Sequence, residues 1–296
     1  MSTNAGNIFL YSTVVLKIYL IIKSRIILNK FGLKRTIPLP IKRKIRQHCH
    51  FGCVVCGSAI IEYEHVDPEY HEAMEHDPEK MTLLCPQCHA KVTRGLLSKD
   101  TVKKAMKHPK CQEVGFSREI LDITNNCLEI QYGINGLSMK NISIPIQINQ
   151  TPLMKIEKPN SETEPYQLSC IFYDSKNQKT LEIKNNEYYI FNDNWDVTVE
   201  GKSIIIKEGL RNIHLKLSFI SSKLIIIEKL KMNYFGNTLI IDKDEFKINN
   251  MTFKSVSFQN ANIGMQLDLP LKYTKLSLIC FILLNKIEKT TKQSIQ

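Results

Sequence analysis

Residues 49–65, CHFGCVVCGSAIIEYEH, bring together thiols, imidazoles and carboxylates, the side chains that bind metals or transfer protons. Cys53 and Cys56 form a Cys-x-x-Cys pair, and a second pair, Cys85 and Cys88, follows after a gap of 28 residues. Each pair presents two thiolates to one ion, and two pairs complete the tetrahedral sulfur set that zinc accepts. The spacing therefore predicts a structural zinc site.

Two other interpretations of these cysteines remain open. The four thiols could be ordinary buried residues, or Cys49 could replace Cys53 as a ligand through a Cys-x-x-x-Cys spacing of poorer geometry. The remaining cysteines are predicted to be core residues: Cys111, Cys127, Cys170 and Cys280. Because a chain of 296 residues does not need disulfides for stability, the nine cysteines indicate a reducing compartment and a cytoplasmic location.

Three residues beside the cysteines could supply reaction chemistry: Glu64, His65 and His89. Neutral imidazole accepts a proton near pH 7, and carboxylate and imidazole together bind divalent ions. The alternating segment 59–66 predicts a strand, which would point Glu64 and His65 to opposite faces. Segment 85–95 predicts a helix with His89 in its first turn. Alternatively, His65 could bind a backbone carbonyl, and His89 could be an additional zinc ligand.

The surrounding elements are short. Residues 41–48, IKRKIRQH, predict a basic helix after Pro40, MTLL predicts a strand at 81–84, and Ser98 is a suitable N-cap for a helix at 98–108. Residues 71–80, HEAMEHDPEK, predict a polar connection between the strands. Its titratable side chains are predicted to be solvated: His71, Glu72, Glu75 and His76.

Four motifs together resemble the four-cysteine HNH endonucleases over residues 46–99: Phe51-Gly52-Cys53-x-x-Cys56-Gly57, Tyr63-Glu64-His65, Leu84-Cys85-Pro86-x-Cys88-His89 and Thr93-x-Gly95. The resemblance implies a small ββα-metal, treble-clef-like module that hydrolyses phosphodiester bonds of DNA. It implies that His65 is the general base and that Glu64 and His89 hold one catalytic Mg²⁺ or Mn²⁺. The chemistry agrees with these roles, since a divalent ion neutralises charge on a reacting phosphate.

The chain departs from the family pattern at two positions. The asparagine that orients the base in the family stands five residues before the second cysteine pair, where this chain has Lys80. Lysine cannot accept a hydrogen bond, and Asp77 is the nearest residue that could. Glu64 also replaces the commoner aspartate. These departures support an alternative function, a catalytically weak, zinc-dependent nucleic-acid-binding protein.

The charge distribution indicates a polyanionic partner. The net charge is +11, and residues 1–61 contain ten Lys and Arg but no Asp or Glu, whereas residues 62–79 contain eight acids and no Lys or Arg. Cations attract nucleic acid, although lysine is abundant throughout the chain. Five basic residues are predicted to contact DNA phosphates: Arg43, Lys44, Arg46, Lys91 and Arg94.

Composition divides the chain into four segments. Residues 1–31 are apolar and basic, 32–110 contain the HNH-like unit, 117–270 are β-rich, and 271–296 form an apolar and basic tail. Membrane association through residues 8–28 is the weaker interpretation, because the longest uninterrupted apolar run there is too short to span a bilayer. An interfacial or packed helix is favoured for these residues.

The β-rich segment consists of short, often alternating runs separated by Gly, Asn, Asp and Ser, which predicts an all-β sandwich or barrel. The fold class is therefore α+β. The single tryptophan of the chain, Trp195, lies in the β-rich segment and is predicted to be a core residue. The β-rich segment, with Asn194-Trp195-Asp196-Val197 at its centre, has a weaker similarity to a C-terminal region of some uncharacterised bacterial HNH proteins. The ligand or protein partner of this domain is not predicted.

Overall fold

The structure is a computed structural model that describes residues 28–124 and 127–267. The predictions for residues 8–27 and for the 271–296 tail therefore concern residues outside this description. Within the described part of the chain, no helix has the length and apolar character needed to cross a bilayer.

The N-terminal half contains a compact module of short elements. Their bounds are α1 Leu39–His48, β1 Glu62–His65, a 3-10 helix Pro78–Lys80, β2 Met81–Leu84, α2 Pro86–Thr93, α3 Lys99–Lys107 and α4 Lys110–Val114. Strands β1 and β2 form an antiparallel hairpin in which Glu64 lies opposite Thr82 and His65 lies opposite Met81. The order of hairpin and α2 is the predicted ββα arrangement.

Local sequence explains where the helices begin and end. Pro86 occupies the first turn of α2, while the thiol of Cys85 accepts a hydrogen bond from the backbone N–H of Cys88. After α2, Gly95 adopts φ +72°, a left-handed conformation in which a side chain would be strained. Ser98 caps α3 by accepting from the N–H of Thr101, as predicted. The strand predicted at 59–66 is shorter in the structure.

The remaining strands, β3 to β17, form one sheet. Their bounds are Phe116–Ile120, Glu129–Tyr132, Leu137–Ile148, Thr151–Glu157, Gln167–Tyr173, Lys179–Lys184, Glu187–Phe191, Asp196–Glu200, Ser203–Gly209, Asn212–Ser221, Leu224–Tyr234, Asn237–Asp242, Glu245–Ile248, Met251–Phe253 and Val256–Leu267. Most neighbours are antiparallel, but β4 pairs with β13 and β5 pairs with β17 in parallel. The sheet coils into a half-barrel, which confirms the α+β class and the all-β prediction.

Each half has its own hydrophobic core, but two residues of the cysteine-bearing segment pack into the core of the β domain. Ile45, Leu83 and Leu84 are fully buried in the core of the module, beside the cysteines. Phe51 and Ala59 flank the first cysteine pair in sequence, but they pack into the core of the β domain instead. The β domain therefore buries part of the segment that carries the first two thiols.

Strand β3 connects the two halves by backbone hydrogen bonds. One edge of β3 pairs with β9. In the loop after the first cysteine pair, the Gly57 carbonyl accepts from the N–H of Arg118 at 3.1 Å, and the N–H of Ala59 donates to the Arg118 carbonyl at 3.0 Å. The two segments predicted at 32–110 and 117–270 are therefore joined by helix α4 and strand β3, which are separated by one residue, Gly115.

Candidate metal centres and catalytic residues

Four thiols gather where the first cysteine pair meets the start of α2. The sulfur atoms of Cys53, Cys56, Cys85 and Cys88 all lie within 4.8 Å of one another. The two pairs approach because the N–H of Val54 donates to the Leu83 carbonyl at 3.1 Å, which joins the first pair to β2. The predicted four-cysteine cluster is therefore confirmed as a site that could hold a structural metal ion.

The electrostatics of the cluster suit a cation. A hydrogen bond with Cys56 lowers the pKa of the Cys53 thiol to about 5, while the same bond raises the pKa of Cys56. Thiolate is the form that binds metal. Three of the four side chains are buried, so a cation there would neutralise charge that has little contact with water.

Cys49 is not a member of the cluster. Its thiol lies 3.5 Å from the hydroxyl of Thr82 on β2, and burial raises its pKa to about 11. The position of Cys49 counts against it as a ligand, since its thiol contacts Thr82 and lies outside the group of four sulfur atoms. The structure therefore does not support the exchange of Cys49 for Cys53.

Directly after the last cysteine, His89 lies between two carboxylates of β1. Its Nε2 is 2.9 Å from Oε2 of Glu64, and its Nδ1 is 2.7 Å from Oε2 of Glu62. The hairpin packs against α2, which brings the strand and the helix side chains together. Burial raises the pKa of Glu64, and the neighbouring His89 opposes that rise. Among the predicted residues, Glu64 and His89 are thus brought into contact.

Glu62 is a residue that the sequence analysis missed. It stands two positions before Glu64, and residues two apart on a strand point to the same face. This spacing was the available signal. A carboxylate on the far nitrogen of a histidine fixes the ring orientation and the tautomer, as in the carboxylate–histidine–metal arrangement of many metalloproteins. The pair of Glu64 oxygen and His89 Nε2 offers donors that fit a divalent ion, with Glu62 holding the imidazole in place.

His65 lies on the other face of β1, as its position next to Glu64 predicted. Its side chain is 9% exposed, and its Nε2 is 3.1 Å from Nδ1 of His76. Burial, followed by the neighbouring His76 and Arg35, lowers the pKa of His65 to about 4. The imidazole is therefore neutral at pH 7, which is the protonation state that a general base requires.

The prediction that His76 belongs to a solvated loop is wrong. His76 is buried, and its Nε2 is 2.9 Å from the backbone carbonyl of Lys34. The loop is held down by Asn29, whose side-chain amide donates to the carbonyls of Tyr70 and Ala73. The other three side chains predicted as solvated, His71, Glu72 and Glu75, are exposed.

The side chain of Lys80 pairs with Asp77 and not with His65. It is 57% exposed, and its Nζ lies 3.6 Å from a carboxylate oxygen of Asp77. The other oxygen of Asp77 accepts from the N–H of Glu79, which caps the 3-10 helix. Asp77 is therefore engaged in its own turn, and the side chain within hydrogen-bond distance of the His65 imidazole is His76.

Two of the basic residues predicted to contact DNA are engaged within the protein. Arg46 is buried on α1 and forms two hydrogen bonds of 2.8 Å to the carboxylate of Asp196, at the start of β10. A third bond of 2.7 Å joins Arg46 to the hydroxyl of Tyr63. Arg43 lies over the ring of Trp195 at 4.8 Å, and its Nε is buried. The guanidinium of Arg46 is enclosed and cannot reach a phosphate, so the prediction that Arg46 contacts DNA is not supported.

The other three basic residues are free to meet solvent: Lys44 on α1, Lys91 on α2 and Arg94 at the end of α2 are exposed. Trp195, predicted as core, is half-buried at a bend before β10, and its backbone carbonyl accepts from Gln47 at 2.8 Å. Trp195 and Asp196 of the β domain thus contact α1.

Comparison with known proteins agrees with this geometry. Residues 53–95 match the family model described as HNH endonuclease. The matched range begins at the first ligand cysteine and ends at the glycine after α2, so it includes the four thiols, the hairpin and His89. No curated protein and no solved structure gives a significant match. The family match covers residues 53–95 of the module and does not extend to α1, α3, α4 or the β domain.

Proposed function

We propose that this four-cysteine HNH module is a metal-dependent endonuclease that hydrolyses phosphodiester bonds of DNA with a single catalytic ion. The observation that carries the proposal is the contact between Glu64 and His89, directly beside the four-cysteine cluster. This contact joins the hairpin to the helix in the family match, and it pairs an oxygen donor with a nitrogen donor. The cluster would hold zinc as a structural ion, since four thiolates suit zinc.

In this proposal each residue of the site has one task. Glu64 and His89 hold Mg²⁺ or Mn²⁺, and Glu62 orients His89 through Nδ1. When bound, such an ion supplies a positive charge that stabilises negative charge on the phosphate and on the leaving oxygen. His65, neutral at pH 7, removes a proton from water. The resulting hydroxide forms a bond to phosphorus while the bond to the 3′ oxygen breaks, and that oxygen then takes a proton from solvent.

The exposed cations supply the affinity for the substrate. Lys91 lies on α2, the helix that carries His89, Arg94 directly follows this helix, and Lys44 lies on α1. Phosphate contacts of this kind position nucleic acid without reading its sequence. Replacing Lys91 or Arg94 by alanine is expected to weaken DNA binding and to reduce the slope of log K against log salt by about one for each residue.

The test is plasmid nicking by the zinc-loaded protein in Mg²⁺ or Mn²⁺. We expect the wild type and His71→Ala, a change at an exposed histidine of the same module, to nick DNA equally. His65→Ala is expected to lose about 100-fold or more in rate, since general bases contribute roughly 10²–10⁴. Equal nicking by His65→Ala and the wild type would refute the mechanism.

A second candidate function is nucleic-acid binding without cleavage. Lys80 favours it, because this residue stands where the family has its asparagine and its side chain does not contact His65. This function predicts a salt-sensitive gel shift that is unchanged in His65→Ala, with no nicking by either protein. The same two proteins therefore distinguish the candidates.

A further inference from the structure

We infer that His76 is the positioning residue for His65, and that it leaves Nδ1 of His65 as the nitrogen that accepts the proton. The inference rests on the proposed function for its catalytic meaning. It rests on contacts within the module for its geometry: Nε2 of His65 lies 3.1 Å from Nδ1 of His76, and Nε2 of His76 lies 2.9 Å from the Lys34 carbonyl.

The tautomers follow from the end of this chain of hydrogen bonds. A backbone carbonyl can only accept, so Nε2 of His76 must carry a hydrogen and donate it to Lys34. In neutral His76 the other nitrogen, Nδ1, then has a free lone pair and accepts from Nε2 of His65. Neutral His65 therefore has its hydrogen on Nε2 and a bare Nδ1. With both rings neutral, the directions of the two bonds follow from the Lys34 carbonyl, which can only accept.

The bare nitrogen is also the accessible one. Nδ1 of His65 has no hydrogen-bond partner in residues 28–124 and 127–267. In that same part of the chain, the enclosed side-chain atoms without a hydrogen-bond partner are Nε of Arg43, Oγ of Ser117 and Oδ1 of Asn192, so Nδ1 of His65 is not fully enclosed. A base must combine a free lone pair with access to its substrate, and this nitrogen has both.

Residues outside the loop that carries His76 hold it in position. Tyr70, at the start of that loop, has its ring 5.5 Å from the ring of His65, and its hydroxyl donates to the Leu33 carbonyl at 2.9 Å. Asn29 donates to two carbonyls of the loop. The segment 29–34 thus holds the loop and supplies the final acceptor. The His65 ring is thus oriented by two residues that are themselves held in place, His76 through a hydrogen bond and Tyr70 through its ring.

His76 therefore provides the acceptor that Lys80 cannot provide. When His65 takes a proton on Nδ1, its Nε2–H continues to donate to His76, and this bond strengthens because the donor becomes charged. No proton needs to leave the pair during the step. An acceptor in this place fixes the ring and stabilises the imidazolium that forms, which is the task of an orienting group behind a catalytic histidine.

The first test measures the tautomer of His65 by NMR in full-length, zinc-loaded protein with ¹⁵N-labelled histidine, using His65→Ala to assign the signals. We expect a protonated Nε2 and an unprotonated Nδ1 at pH 7. In His76→Ala the signal should shift towards a mixture of both tautomers, while His71→Ala should leave it unchanged. A hydrogen on Nδ1 in the wild type, or an unchanged tautomer in His76→Ala, would overturn the inference.

The second test is kinetic. His76→Ala is expected to lower kcat for DNA nicking by about 10- to 100-fold with KM changed less than about threefold, which is the size of effect seen when a residue that orients a functional histidine is removed. His76→Asn should recover most of the rate, because its amide oxygen can accept from Nε2 of His65. Equal loss in both variants with intact zinc content would contradict a positioning role. If the wild type fails to nick but has the expected tautomer, the endonuclease function falls and the tautomer assignment stands.

Discussion

Replacing Asp196 by alanine should destabilise the contact between α1 and the β domain more than any surface substitution. The carboxylate of Asp196 is 1% exposed and receives two 2.8 Å hydrogen bonds from Arg46. Its removal leaves the guanidinium buried with only the hydroxyl of Tyr63 as a polar partner. Each hydrogen bond to a charged group contributes about 1.5–3 kcal/mol, and breaking a buried ion pair costs about 3–5 kcal/mol. We expect a loss within that second range.

The assay is urea unfolding followed by tryptophan fluorescence. The chain has one tryptophan, Trp195, which is the neighbour of Asp196, so the probe reports on this contact. The matched control is Glu157→Ala, which removes an exposed ion pair with Lys155 and should cost less than about 1 kcal/mol. Replacing Arg46 by methionine together with Asp196 by leucine should recover part of the loss, because the buried charge of Arg46 is then removed, while Arg43 still loses its ion pair with Asp196 at 3.6 Å. A loss in Asp196→Ala no larger than the control would refute this reasoning.

Three further predictions concern metal binding and pH. Cys53→Ser should lose the structural ion, measured as bound zinc per chain, whereas Cys49→Ser should retain it because Cys49 lies outside the cluster. Glu62→Ala should raise the Mn²⁺ dissociation constant measured by calorimetry about 10- to 100-fold, while Glu75→Ala, in the exposed loop, should not. Burial lowers the pKa of His214 below its usual 6.5. The contribution of His214 to the free energy of unfolding should therefore be fully present above about pH 6.5 and decrease at lower pH, because the unfolded chain binds the proton first. His214→Gln should make the free energy of unfolding, measured by urea titration, less dependent on pH in this range.

The sequence was informative wherever function depends on spacing over a few residues. The two Cys-x-x-Cys pairs and His89 directly after the second pair predicted the cluster and the position of His89 on α2. Alternation in the β-rich half predicted its class, because period two is the signature of strands with one buried face. Short-range patterns of this kind are determined by backbone geometry alone.

The contacts that the sequence did not reveal join distant residues. Arg46 and Asp196 are 150 positions apart, so a basic residue on an amphipathic helix looked like a phosphate contact when it is an internal anchor. His76 stands among acids and a proline in a polar stretch, which gives no sign of burial. Its burial depends on contacts with distant parts of the sequence: His76 bonds to Lys34, 42 positions earlier, and Asn29 bonds to Ala73 of the same loop, 44 positions later.

Strand β3 and the buried Phe51 and Ala59 have a consequence for how such modules are inherited and engineered. A protein module that can be moved between proteins must carry its whole hydrophobic core with it. Here the segment bearing the first thiols places two apolar residues in the neighbour's interior and pairs its backbone with a neighbouring strand edge. A graft of residues 32–110 onto another scaffold would expose that surface and leave those backbone groups unpaired, so the portable unit of this protein is larger than its family signature.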